Sequence, residues 1–141
     1  MVAGKNEKRQ RSALLDVALW VAQLAIAMVF VMVGWMKVTI PIPELGAMMP
    51  WAEELPSHFV RAVGMIDIAG GIGILLPALT RVKPGLTVLA AVGCVALQIC
   101  AIVFHISRGE AMMTPFNFVL LALAGFVLWG RRGPAPIHAR R

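Results

Sequence analysis

One carboxylate, Asp67, sits in the middle of an otherwise apolar run, Arg61 to Pro77, with the sequence RAVGMIDIAGGIGILLP. A charge at mid-bilayer depth is expensive, so it is either paired or used, for instance to relay a proton. Lys37, Arg61, His105 and Asn117 lie toward the ends of four apolar segments and fall at one level, while Asp67 is six residues, about 9 Å, deeper than Arg61. Cys94, Gln98, Ala101 and His105 recur at i, i+4, i+7 and i+11 and form one helical stripe; Gly64, Asp67, Gly71 and Ile74 share a face of another helix, with Gly70 at its edge. If these two faces meet, they enclose a polar cleft open at one end, with Asp67 at its floor. Lys37, Arg61, Gln98, His105 and Asn117 would then contact a ligand.

Each residue also has a plainer role open to it. Lys37 and Arg61 can snorkel to headgroups, and Gln98 and Asn117 can bond neighbouring helices. His105 can be an interfacial histidine without a ligand. Asp67 can be half of a structural ion pair with Arg61, Lys37 or His105. Arg61 is about 120° around the same helix, so an interhelical partner, Lys37 or His105, approaches more directly. Gly64, Gly70 and Gly71 are expected to pack against another helix, because small residues let two backbones come close in a membrane.

Other chemistries leave no mark. No metal-ligand spacing, Cys-x-x-Cys, nucleophile elbow or phosphate loop is present, so no metal is expected and no cofactor is evident. Gly70-Gly71-Ile72-Gly73 lies within an apolar helix with no strand before it, which reads as packing. Cys94 and Cys100 are about 9 Å apart along a helix axis, too far for a bridge.

The elements that position these residues follow from hydropathy. The chain is 60% hydrophobic and 14% charged, with a mean hydropathy of +0.82, outside the range of soluble domains. Residues 1–12 read as a basic cytoplasmic tail. An uncleaved first helix over about 13–36 follows, too long for the apolar core of a signal peptide, with Ser12 as N-cap. Asp16 falls in its first turn and reads as a solvated capping charge; Ala18, Ala22 and Ala25 offer a small-residue seam. Pro41, Pro43, Pro50 and Pro56 divide the connection 37–58. Met48, Met49 and Trp51 beside Glu53 and Glu54 make it either a short interfacial lid or a loop resting on headgroups. Further helices are expected over about 57–76, ended by Pro77, then 84–106 and 114–129, with a disordered basic tail over 131–141.

The fold expected is an all-α, four-helix transmembrane bundle. The N-terminal tail, the loop after the second helix and the C-terminal tail hold ten of the 13 Lys and Arg residues, which puts both termini in the cytoplasm. The same clustering accounts for the pI near 10.4 without nucleic acid, for which no supporting fold is visible. The bilayer is the first partner.

Gly34-Trp35-Met36-Lys37, Arg61-x-x-Gly64-x-x-Asp67-x-x-Gly70-Gly71 leading to Pro77, and His105 closing the third helix together resemble the DoxX-like integral membrane proteins, over roughly residues 14–130. Many relatives have Glu where this chain has Asp67, a longer reach for the same charge. The resemblance implies a multi-pass protein of the bacterial inner membrane. It also implies a link, seen in some relatives, to quinone-dependent sulfur oxidation or to membrane oxidoreductase complexes.

The leading expectation is therefore a small quinone-linked redox subunit. Arg61 or His105 would donate to the quinone oxygens, Asp67 would relay a proton, and a membrane or soluble oxidoreductase partner would supply electrons. A non-catalytic component that stabilises or recruits a larger assembly, and a small transporter, remain open alternatives, as does a homo-oligomer.

Overall fold

A computed structural model describes residues 2–140, with side chains from residue 6 onward; Met1 and Arg141 lie outside the described residues. Among these every regular element is a helix: α1 (Val2–Thr39), α2 (Ile42–Met48), α3 (Trp51–Glu54), α4 (Ser57–Thr80), α5 (Gly85–Ser107), a 3-10 turn (Ala111–Met113) and α6 (Thr114–Arg132). Four helices, α1, α4, α5 and α6, are long and apolar enough to cross a membrane. Their outward faces carry large apolar side chains such as Leu14, Met28, Met65, Leu89, Val103 and Phe118. A soluble bundle turns polar residues outward, so the solvent of this surface is lipid, and the chain is a multi-pass membrane protein.

The four helices form a ring in which α1 packs on α4 and α6, and α5 packs on α4 and α6. Ala22, Ile26, Ala27 and Phe30 of α1, Ile74 of α4, Ala91 and Cys94 of α5, and Leu120, Ala124 and Val127 of α6 fill the centre. Four crossings bring both ends of the chain to one end of the bundle. The other end is roofed by α2 and α3, whose Leu45 and Ala52 form a second core with Val60 of α4. The proline-rich connection is thus a folded lid. Gly46 of α2 permits close packing on α3, since a Cβ there would meet the Glu53 side chain at 2.7 Å.

Three boundaries differ from expectation, for local physical reasons. α1 begins at Val2, so Ser12 lies within the helix instead of capping it. The preceding Lys, Arg, Glu and Gln residues are good helix formers, and extending an existing helix needs no new nucleus. α4 runs through Pro77 to Thr80. Proline removes one backbone donor and loosens the local ladder, and here the nearby Ile74 carbonyl accepts a 2.7 Å hydrogen bond from Gln23 Nε2 of α1. The C-terminal segment, expected to be disordered, turns back across the end of the bundle over its described residues. The Ala135 amide donates to the Gly130 carbonyl, and the Arg140 amide to that of Arg81.

The glycine face of α4 packs against other helices, as expected, and the structure shows which ones. Gly64 and Gly71 turn to α1: a Cβ on Gly64 would lie 2.8 Å from the Gly34 carbonyl oxygen, and one on Gly71 3.0 Å from that of Ala27. Gly70 instead turns to α5, where a Cβ would lie 3.2 Å from Cys94 Sγ. Of the alanines expected to form the α1 seam, Ala22 is buried, Ala25 half-buried and Ala18 exposed.

Candidate functional site

The contact of α1 with α4 places the first charged pair. Gly34 and Gly64 oppose each other so closely that a Cβ on Gly34 would meet the Gly64 carbonyl oxygen at 2.6 Å. One turn along each helix, Lys37 Nζ reaches Asp67 Oδ2 at 2.7 Å, with both side chains about nine-tenths buried. Asp67 therefore takes an interhelical partner. Lys37 Nζ also lies 5.4 Å from the centre of the Trp51 ring on the lid, a cation–π contact.

Arg61 takes a different role from the one anticipated. Its Nη1 donates to the carbonyls of Lys37 and Ile40, at the C-terminal end of α1. Those carbonyls have no partner within the helix, and a cation suits the negative end of its dipole. Arg61 is thereby occupied in fixing the end of α1, and with it Lys37, and it does not line the cavity.

The second pair is made where α5 ends. His105 Nδ1 lies 2.8 Å from Glu110 Oε2, across the turn that follows the helix. Glu110 Oε1 accepts from Arg108 Nε at 2.9 Å, and Arg108 Nη2 donates to Glu54 Oε2 of the lid at 2.6 Å. The Glu110 carboxyl is held below its ordinary range, first by its hydrogen bond to His105 and then by Arg108. With Nδ1 engaged, the remaining His105 nitrogen, Nε2, is the one available to accept or donate elsewhere.

Both pairs border one cavity of about 730 Å³ beneath the lid. Lys37, Asp67, Gln98, His105, Glu110 and Asn117 supply its polar lining. Trp51, Phe59, Phe104 and Phe116 supply aromatic faces, and Val29, Phe30, Val33, Val63 and Leu97 close its apolar depth. A mostly apolar pocket with a few converging polar groups is the usual form of a small-molecule site, and about 300–1,000 Å³ is its usual size. Gln98 is 5% exposed, and its Oε1 is buried without a hydrogen-bond partner. Such an orphan acceptor costs about 1–3 kcal/mol.

Five of the anticipated site residues, Lys37, Asp67, Gln98, His105 and Asn117, are thus brought to one cavity. Sequence reasoning missed Glu110; its place five residues beyond His105, across a helix end, was the available signal. It also missed a buried polar cluster at the opposite end of the bundle. There Arg131 donates from Nε to Gln23 Oε1 at 2.7 Å and from Nη1 to Asp16 Oδ1, and stacks over Trp20. Asp16 is therefore the partner of a buried guanidinium and not merely a solvated cap. Among the described residues no group of three or more His, Cys, Asp or Glu side chains could hold a metal ion, and both cysteines are free.

Comparison with known proteins gives a match to the model of the DoxX-like family over residues 21–127. No curated protein and no solved structure matches.

Proposed function

The chain belongs to the DoxX-like family, and from that premise and from its cavity we propose that it is a quinone-linked subunit of a membrane redox system, receiving a quinone headgroup beneath the lid. The observation that carries this reading is Gln98, a buried amide that borders the cavity between two charged pairs and whose Oε1 has no hydrogen-bond partner. An amide offers both a donor and an acceptor, and turning it over exchanges them. Gln98 thus suits a ligand whose oxygens are carbonyls in one oxidation state and hydroxyls in the other. The aromatic walls suit a flat ring, and the apolar depth suits a lipid-soluble one.

A quinone, when bound, supplies two-electron, two-proton carrier chemistry. The chain's own residues handle protons and polarity. The Lys37 ammonium donates a hydrogen bond toward the cavity, while Asp67 balances its charge and relays a proton. His105 Nε2 exchanges a proton, while Glu110 holds Nδ1. Asn117 adds an uncharged donor on α6. Electrons come from a membrane or soluble oxidoreductase partner. The clustering of basic residues at the end of the bundle that carries the termini supports a cytoplasmic placement of that end, in a bacterial inner membrane, with the lid facing outward.

Mass spectrometry of lipids retained by gently purified protein tests the reading. Near-stoichiometric quinone in the native protein, strongly reduced in Gln98→Leu, is the expected result. A stoichiometric protein partner with no quinone would overturn it in favour of a non-catalytic assembly component. Saturable uptake of a solute into vesicles, again without bound quinone, would favour a transporter.

A further inference from the structure

A second, smaller recess of about 210 Å³ adjoins the cavity on the lipid-facing side of the α4–α5 seam. Ile66, Ala69 and Gly70 of α4 and Ala90, Gly93 and Cys94 of α5 form its walls. Phe30 and Leu97 border both this recess and the large cavity, so the two spaces meet at those side chains. The recess has an open outer side, because Ile66, Ala69 and Gly93 are exposed to the surrounding lipid. It also has a closed lower end, because α4 and α5 come together at Gly73, where a Cβ would lie 2.9 Å from Ala90 Cβ. Gly93 keeps it hollow: a Cβ at that position would meet nothing within 4 Å.

We propose that this recess is the exit groove for the hydrocarbon tail of the ligand, so that the site takes a long-tailed membrane quinone whose ring lies beneath the lid and whose tail leaves between α4 and α5. The proposal rests on the reading of the large cavity as a headgroup site. Two observations converge on it. The orphan Gln98 Oε1 fixes where polar ligand atoms belong. One turn toward the termini from Gln98, α5 changes to Cys94, Gly93 and Ala90, a small-sided apolar path continuous with the cavity. A tail drawn from the bilayer need not cross the polar lid end to enter. Inside the membrane a tail gains no hydrophobic transfer by moving from lipid to protein, so the groove contributes through close packing.

The test is quinone binding, followed by quenching of tryptophan fluorescence, with the full-length protein in lipid nanodiscs. The two probes share one dimethoxy-methyl-benzoquinone ring, one without a tail and one with a decyl tail. Gly93→Leu fills the groove without a backbone clash, and Gly125→Leu makes the same change at an α6 position that is also open. Comparing the two variants in the same lipid cancels partitioning of the tailed probe. Gly93→Leu should weaken the decyl probe by about fivefold to tenfold, the scale of one lost packing contact in a membrane. It should leave the tail-less probe unchanged, and Gly125→Leu should change neither. Equal affinity of Gly93→Leu and native protein for the decyl probe would overturn the groove while leaving the headgroup site standing. Failure of the tail-less probe to bind the native protein would overturn the headgroup site, and the groove with it.

Discussion

Asp67→Asn keeps the size and shape of the side chain and removes its charge. In the native chain Lys37 Nζ and Asp67 Oδ2 are 2.7 Å apart, and neither side chain is more than about a tenth exposed. The other group close to the ammonium is the face of Trp51, 5.4 Å away. A cation–π contact is worth about 0.5–2 kcal/mol and cannot replace a carboxylate. The variant therefore leaves an uncompensated buried cation, which costs about 3–5 kcal/mol when one partner of a buried pair is removed. Replacing both partners, as Lys37→Met with Asp67→Leu, removes the desolvation cost along with the attraction, and should restore most of the stability while abolishing any proton relay. Reversible unfolding in mixed detergent micelles, read by circular dichroism, measures all three proteins. If Asp67→Asn lies within about 1 kcal/mol of the native protein, or if the double variant is less stable than Asp67→Asn, the pair does not act as described.

Gly71→Leu should lower the unfolding midpoint well below that of Gly85→Leu. A side chain at Gly71 meets the α1 backbone, and one at Gly85 meets nothing within 4 Å; equal midpoints would remove the α1–α4 seam from the account. Arg61→Gln should loosen the end of α1 and raise hydrogen exchange at Lys37 through Ile40, while leaving the cavity lining intact; unchanged exchange there would refute the capping role. Glu110 is held below its ordinary value in the folded chain, so its contribution is present at pH above the ordinary carboxylate range and is lost as the pH falls through the lowered value. Exchange protection of the lid should therefore fall on acidification in the native protein, and Glu110→Gln should show the reduced protection already at neutral pH. For the proposed orientation, a reporter active only in the periplasm, fused after Arg132, and one active only in the cytoplasm, inserted after Ala47, should both stay silent.

The four membrane helices were legible because a helix satisfies its own backbone inside a bilayer and needs an apolar run of about this length to span it. The site was legible for a related reason: a charge or amide within such a run has few places to go, so Asp67, Gln98 and His105 stood out. Periodicity shows which residues share a helix face and says nothing about which neighbour that face meets. That is why the sequence marks Gly64 and Gly71 as packing on another helix without saying that this helix is α1. Arg61 was taken for a ligand contact because its real targets are main-chain carbonyls, which carry no signature in a side-chain pattern. The pairing of Asp16 with Arg131 spans 115 positions, and the helix through Pro77 is stitched to α1 by Gln23 from 51 positions away. Both depend on the ring order of the helices, which local sequence does not encode.

The central claim is that a quinone ring occupies the cavity between the Lys37–Asp67 and His105–Glu110 pairs. Photolabelling with a ring-azido quinone, followed by mass spectrometry of the digested protein, tests it directly. The account predicts saturable labelling, displaced by unlabelled quinone, on the lid segment 48–55 and on residues 97–105 of α5. Labelling confined to outward residues such as Met28, Leu89 or Phe118, or labelling that does not saturate, would contradict it.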